Sequence, residues 1–203
     1  MDKKIVIVGI CVCSFFVSFI EVDSIIATDD TKKTTFKLLE NPNSLSVNAE
    51  DLFFGSHELS KEDLIVEAQE SMAVSITELS GKRPGWTLKV NLDSFKSDQE
   101  SINNAELFFP VVDPKSEIQE PFQAFKPHVY DEDSSFLDGQ TGKIVHVDSG
   151  SVKLAEAEAG KGFGKWVLPY EDDKKIQLRV PTGQKEGIYL AELIYTIEEG
   201  PIP

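Results

Sequence analysis

Short apolar runs broken by turn-forming residues are the feature that most limits the fold of this chain. The runs are rich in β-branched and aromatic residues, and Gly, Pro, Asn, Asp and Ser separate them, which is typical of β-strands. Their spacing predicts an all-β fold, a single antiparallel β-sandwich or barrel-like domain. The predicted strands are 34–39, 44–47, 75–79, 86–92, 105–109, 143–147, 166–168, 176–180 and 188–197.

Two stretches carry a weak helical signal and are predicted to be minor helical insertions. In SKEDLIVEAQ (60–69), Ser60 is a possible N-cap with Asp63 three residues later. In SGSVKLAEAEAGKG (149–162), one or two turns fit before the glycines. Neither stretch is long enough to carry the fold.

The last two predicted strands show which side chains face the core. From 189 to 197 the odd-numbered side chains carry no charge, so they are predicted to point inward. The same alternation turns the even-numbered side chains of 176–180 inward and places Gln177 and Arg179 outside. Since Pro and Gly follow the first of these strands, the two are predicted to form a C-terminal hairpin.

The first 27 residues have the layout of a secretory signal peptide. Two lysines precede an uncharged apolar run from 5 to 20, and Ala27 is a small residue suited to cleavage. The run is shorter than the roughly 20 residues that a membrane-spanning helix needs. Cleavage after Ala27 leaves one domain, 28–203, without either cysteine of the chain. The sequence therefore predicts a secreted protein with no disulfide and no membrane span after cleavage.

The net charge of −15 limits the partners of the chain. Without its first 27 residues the chain holds 18 Lys and Arg against 32 Asp and Glu. Nucleic-acid binding gains most of its affinity from basic side chains that neutralise phosphates, so nucleic acid and anionic lipid are poor partners. Segment 113–142 is rich in Pro, Asp, Glu and Ser and is predicted to be a loop-rich acidic insertion.

Both tryptophans lie in Trp-x-Leu motifs behind glycines, in GKRPGWTL (81–88) and GKGFGKWVL (160–168). Residues i and i+2 of a strand share a face, so each Trp forms a small apolar plate with the Leu that follows it. The alternation after the first motif favours core packing, whereas core and exposed positions stay equally open for the second. An exposed Trp could bind sugar rings or anchor a protein interface. The predicted binding residues are the plates and the bases that flank them: Trp86, Leu88, Trp166, Leu168, Lys82, Arg83, Lys161 and Lys165.

Four segments together resemble the WxL domain of surface proteins from low-GC Gram-positive bacteria. They are VSITELSGKRPGWTLKVNLDSF (74–95), INNAELFFP (102–110), GKGFGKWVLPY (160–170) and IQLRVPTGQKEGIYLAELIYTIEEGP (176–201). The resemblance implies a non-catalytic cell-surface module that attaches to the wall without a covalent link, through peptidoglycan and through WxL-interacting surface proteins. Two features depart from the family: Tyr195 stands where the last strand often has a Trp, and the acidic section 113–138 is individual to this chain.

Sequence motifs for catalysis, metals or cofactors are weak. His57, His128 and His146 are isolated from one another and from any nucleophile motif, so each is predicted to be a surface or strand residue. The loop DEDSSFLDGQTG (131–142) lacks both the turn Gly and the final Glu of an EF-hand calcium loop. We therefore predict a protein that is not an enzyme and has no cofactor.

Three functions follow from these observations. The first is a wall-associated binding module in which the two apolar plates converge at one end of the domain. The second is a structural or adhesive subunit that binds another surface protein through a sheet edge or the acidic insertion, with both tryptophans in the core. The third is a secreted hydrolase that uses carboxylates which the sequence does not pair.

Overall fold

The computed structural model describes residues 44–98, 100–117 and 125–200, which contain fifteen β-strands and no α-helix. The predicted signal peptide and the predicted strand 34–39 lie outside the described residues. The first eight strands are β1 (Leu45–Ala49), β2 (Leu64–Glu67), β3 (Met72–Glu78), β4 (Trp86–Leu92), β5 (Phe95–Lys96), β6 (Ser101–Ile102), β7 (Glu106–Pro110) and β8 (Lys115–Ser116). The other seven are β9 (His128–Val129), β10 (Asp133–Ser134), β11 (Thr141–His146), β12 (Val152–Ala157), β13 (Gly164–Tyr170), β14 (Gln177–Val180) and β15 (Leu193–Glu199).

Three antiparallel sheets and one short hairpin contain these strands. The strand orders are β1-β3-β13-β8 in the first sheet, β10-β11-β7-β14-β2 in the second and β15-β4-β12-β9 in the third. Strands β5 and β6 form the hairpin. None of these sheets closes into a barrel within the described part of the chain. The all-β prediction is therefore confirmed, and the architecture is that of a β-sandwich.

Alternating side chains of the sheets fill one hydrophobic core. In β3, Met72, Val74 and Ile76 are buried and the side chains between them are half-buried. Because successive side chains of a strand point to opposite faces, this pattern gives the sheet one apolar inner face. Strands β4, β7, β12, β13 and β14 also contribute buried side chains to this core.

The two predicted helical insertions are strands instead. Strand β2 lies within 60–69 and pairs with β14, and β12 lies within 149–162 and pairs with β4 and β9. A bulge between Lys153 and Ala155 interrupts the alternation of β12, so that Leu154 and Ala155 are both buried. This interruption hides the period of two that identifies a strand in a sequence.

The predicted C-terminal hairpin is wrong, although the predicted faces of its last strand are right. Strand β14 pairs with β2 and β7, whereas β15 pairs with β4 in another sheet. The odd-numbered apolar side chains from 189 to 197 pack against the core as predicted. Gln177 is buried rather than exposed, because Phe136 packs on this side of the sheet: its ring lies 6.1 Å from the ring of Phe108, and its backbone N–H donates to Gln177 Oε1 at 3.1 Å.

The acidic segment 113–142 supplies an edge strand to each of the three sheets. Strand β8 ends the first sheet, β10 ends the second and β9 ends the third. Residues 118–124 of this segment lie outside the described ranges. The described parts of the segment thus protect the ends of the sandwich sheets, where unpaired strand edges would otherwise be exposed.

Candidate functional site

The first Trp-x-Leu motif opens the central strand β4. Trp86 is its first residue, and Trp86, Leu88 and Val90 are all 0 % exposed. Strands β15 and β12 flank β4 on its two sides, which covers the edges of the motif. The first motif is therefore packed in the core, as its alternation predicts.

The second motif lies in β13, which also has a strand on each side. Trp166 is opposite Ile76 of β3, and Leu168 is opposite Val74. Both residues of the motif are 0 % exposed, which selects the core position of the two that the sequence left open. None of the four Trp and Leu side chains of the motifs can contact a partner from its place in the folded domain.

One loop receives the N–H groups of both indoles. Trp86 Nε1 donates to the carbonyl oxygen of Gly162 at 2.8 Å, and Trp166 Nε1 donates to the carbonyl oxygen of Phe163 at 3.0 Å. Gly162 and Phe163 are neighbours in the chain, so two motifs that are far apart in sequence hold consecutive peptide groups. We call residues 160–164 the clamped loop.

Glycines are required where the backbone passes the first indole. Gly162 has a φ of +65°, and a Cβ there would lie 2.6 Å from Trp86 Nε1 and 2.2 Å from the Cβ of Ala157. Gly85 has a φ of +81°, and a Cβ there would lie 2.3 Å from the carbonyl oxygen of Ala157. Other residues rarely adopt such φ values. The glycines before each Trp therefore allow close backbone approach as well as a turn.

An aromatic pair and an arginine cover the outer side of the clamped loop. The guanidinium of Arg83 lies 4.0 Å from the ring centroid of Phe163, and that ring lies 5.1 Å from the ring of Phe125. The backbone N–H of Gly160 also donates to the carbonyl oxygen of Arg83 at 2.9 Å. The sequence analysis missed Phe125 and Phe163, since only the position of Phe163 between two glycines of the second motif pointed to it.

The predicted bases remain near the surface around this loop. Lys161 Nζ lies 2.8 Å from Glu158 Oε2, and this contact holds the pKa of the Glu158 carboxyl below its usual range. Lys165 Nζ lies 2.6 Å from Glu117 Oε1. Lys82 is exposed and precedes Arg83 in the chain. The structure thus brings Arg83 and Lys161 to the clamped loop, and Lys165 lies one residue beyond its end.

A comparison with protein families finds a match that covers nearly the whole chain. Residues 25–201 match the family described as WxL domain surface cell wall-binding. The chain belongs to the WxL domain family. The family is one of cell wall-binding surface domains and not of enzymes, so this WxL domain is a cell-surface, wall-binding module. No curated protein matches the chain, and no solved structure does.

The three histidines of the WxL domain lie on different elements: His57 before β2, His128 in β9 and His146 at the end of β11. His57 contacts the carbonyl oxygen of Phe54 at 2.6 Å, and His128 packs against the ring of Tyr130. His146 Nδ1 lies 2.8 Å from Glu106 Oε1. Within the described ranges, no group of three or more His, Cys, Asp or Glu side chains is placed to hold a metal ion. No helix in those ranges is long and apolar enough to cross a membrane.

Proposed function

We propose that this WxL domain is secreted and binds peptidoglycan without a covalent link, through the surface around its clamped loop. The observation that carries the proposal is that both indoles donate to consecutive carbonyl groups of this loop. A loop fixed at two adjacent peptide groups loses little conformational entropy when it binds a ligand. The proposed contact residues are Lys82, Arg83, Lys161, Phe163 and Lys165.

The two Trp-x-Leu motifs support this surface from inside. Trp86 and Trp166 fix the loop by hydrogen bonds, and Leu88 and Leu168 pack in the core below them. In this role the motifs determine binding through the position of the loop rather than by contact. This differs from a direct apolar plate, which would need exposed indoles.

The side chains of the surface suit a ligand that carries both sugars and acidic groups. The guanidinium of Arg83 is held over Phe163 and offers planar N–H donors, which suit the carboxylates of wall peptides. The ring pair of Phe125 and Phe163 is half-buried and offers an apolar edge to a sugar ring. Glu158 and Glu117 neutralise part of the basic charge. We therefore expect affinity to depend on the shape of the surface as well as on its charge.

Co-sedimentation with purified cell walls tests the proposal. The double variant Arg83→Ala/Lys161→Ala is expected to bind about ten-fold more weakly, which corresponds to ~1.4 kcal/mol. The control Lys61→Ala/Lys143→Ala removes the same charge away from the clamped loop. Like the test pair, it combines one exposed base with one ion-paired lysine, and it is expected to bind like the wild type. Equal binding by both double variants would show that the wall does not contact the clamped loop.

A structural or adhesive subunit that binds another surface protein is the second candidate. The complete burial of both tryptophans favours it, because neither indole can then contact a wall ligand directly. Association with WxL-interacting surface proteins is compatible with wall binding, since the two ligands would use different surfaces. If walls bind neither the wild type nor the variants, this second candidate is preferred.

A further inference from the structure

The segment that leads into β15 exposes apolar side chains in a row. Ile188 is 83 % exposed, Leu190 is 73 % exposed and Ile194 is 45 % exposed. All three lie on the outer face of the chain, because the odd-numbered side chains between them pack into the core. Single exposed apolar residues are ordinary, but several on one face of a short segment indicate an interaction site, and here one exposed Glu192 lies between Leu190 and Ile194. We call these three residues the aliphatic stripe.

The backbone of the stripe is fixed by the hairpin β5–β6. Leu190 and Lys96 donate their N–H groups to each other's carbonyl oxygens at 2.9 and 2.7 Å, and the N–H of Asp93 donates to Glu192 at 3.0 Å. Lys185 forms an ion pair with Glu100 of the same hairpin region, and this contact raises the pKa of Lys185. Leu190 is therefore held by these hydrogen bonds and Ile194 by the pairing of β15 with β4, so neither belongs to a loose loop.

An acidic groove runs beside the stripe. Its walls come from the segment 93–98 and from the segment 186–192, and Ile188 and Leu190 contribute to its lining. Four carboxylates and one lysine stand along it: Asp93, Asp98, Glu186, Glu192 and Lys96. The site thus combines an aliphatic row with an excess of negative charge.

We propose that the stripe and its groove bind a segment of a partner surface protein in which aliphatic residues alternate with Lys or Arg. The aliphatic side chains of that segment would cover Ile188 and Leu190, and its bases would face the carboxylates of the groove. A second copy of this chain is disfavoured, since it would bring the same acidic groove and a net charge of −15. The inference rests on the partner association in the proposed function and assigns it to a surface.

A short capped peptide of alternating Lys and Leu is the probe for this site. We expect it to shift the amide resonances of 93–98 and 186–194, in NMR spectra of the full chain. Peptides of alternating Lys and Ser or of Glu and Leu test the apolar and the charge contributions, and each is expected to bind at least about ten-fold more weakly. Leu190→Ser is expected to reduce binding of the Lys and Leu peptide by a similar factor, whereas Leu59→Ser, at an exposed leucine outside the groove, is not.

Three outcomes would overturn the inference. They are unchanged binding by Leu190→Ser, resonance shifts that avoid the groove, and self-association of the wild type that Leu190→Ser abolishes, which would make a second copy the occupant. Wall co-sedimentation of Leu190→Ser separates this site from the proposed wall function. If the wild type binds walls but not the Lys and Leu peptide, only the docking site is refuted. If the wild type binds the peptide but not walls, only the wall function is refuted.

Discussion

At the scale of single residues, Gly162 is a position where the sequence has little freedom. Its carbonyl oxygen accepts the Trp86 N–H, and its Cα faces the same indole so closely that no side chain fits. The glycine, the indole and the loop therefore depend on one another. The glycine of the second motif thus makes room for the Trp ring of the first motif, and that ring holds the glycine by a hydrogen bond.

Gly162→Ala is expected to destabilise the domain much more than Gly160→Ala. Both glycines have positive φ, at +65° and +85°, so each substitution incurs roughly 1–2 kcal/mol of backbone strain. At Gly162 the new Cβ also meets Trp86 and Ala157, whereas at Gly160 it meets no heavy atom within 4 Å. We expect an additional loss of about 1–3 kcal/mol at Gly162, measured by urea unfolding. Equal losses at the two positions would contradict the close approach.

At the scale of secondary structure elements, β15 carries an internal defect at Tyr195. The strand pairs with β4 along its whole length, and Tyr195 lies opposite Val90. Among the described residues, the hydroxyl of Tyr195 is buried without a hydrogen-bond partner, and burial, together with the nearby Tyr170, raises its pKa. A hydroxyl in this position contributes volume but no compensating hydrogen bond.

Tyr195→Phe is expected to stabilise the domain at neutral pH and to reduce its sensitivity to alkali. Removal of an unpaired buried hydroxyl is expected to raise the free energy of unfolding by about 1 kcal/mol. Because burial raises the pKa of Tyr195, the folded state keeps this proton at a pH where the unfolded state loses it. The free energy of unfolding is therefore unaffected by this group below the ordinary tyrosine pKa of about 10 and falls as the pH rises above it. Urea unfolding at neutral pH and above pH ~10 measures both effects. A Phe variant with the same alkaline loss as the wild type would assign that loss to other groups, such as the fully buried Tyr170.

The elements also show how far the sequence determined the fold. The strand β4 begins and ends where its alternation predicts, and the inward face of the last strand is as predicted. Strand β12 was missed because its bulge breaks the period of two, and β2 was missed because its pairing with β14 overrides a local helical signal. The pairing partners of β14 and β15 could not be predicted, since alternation fixes a face and not a neighbour.

At the scale of the whole molecule, the sandwich brings two motifs that are far apart in sequence to one loop. Trp86 lies in the third sheet and Trp166 in the first, and the clamped loop connects them. The sequence identified the motifs and the bases that flank them. Strand order and burial determine that the indoles face inward and that only the loop and its bases reach the surface.

The clamped loop requires that both indoles are buried and hydrogen-bonded to it. Hydrogen exchange of the two indole N–H groups tests it directly, because the chain has only two tryptophans and ¹⁵N-labelled Trp gives two resonances. We predict that both N–H groups exchange slowly, at rates that reflect opening of the folded domain. Exchange of either indole at the rate of a free tryptophan would contradict the clamped loop and return that ring to the surface.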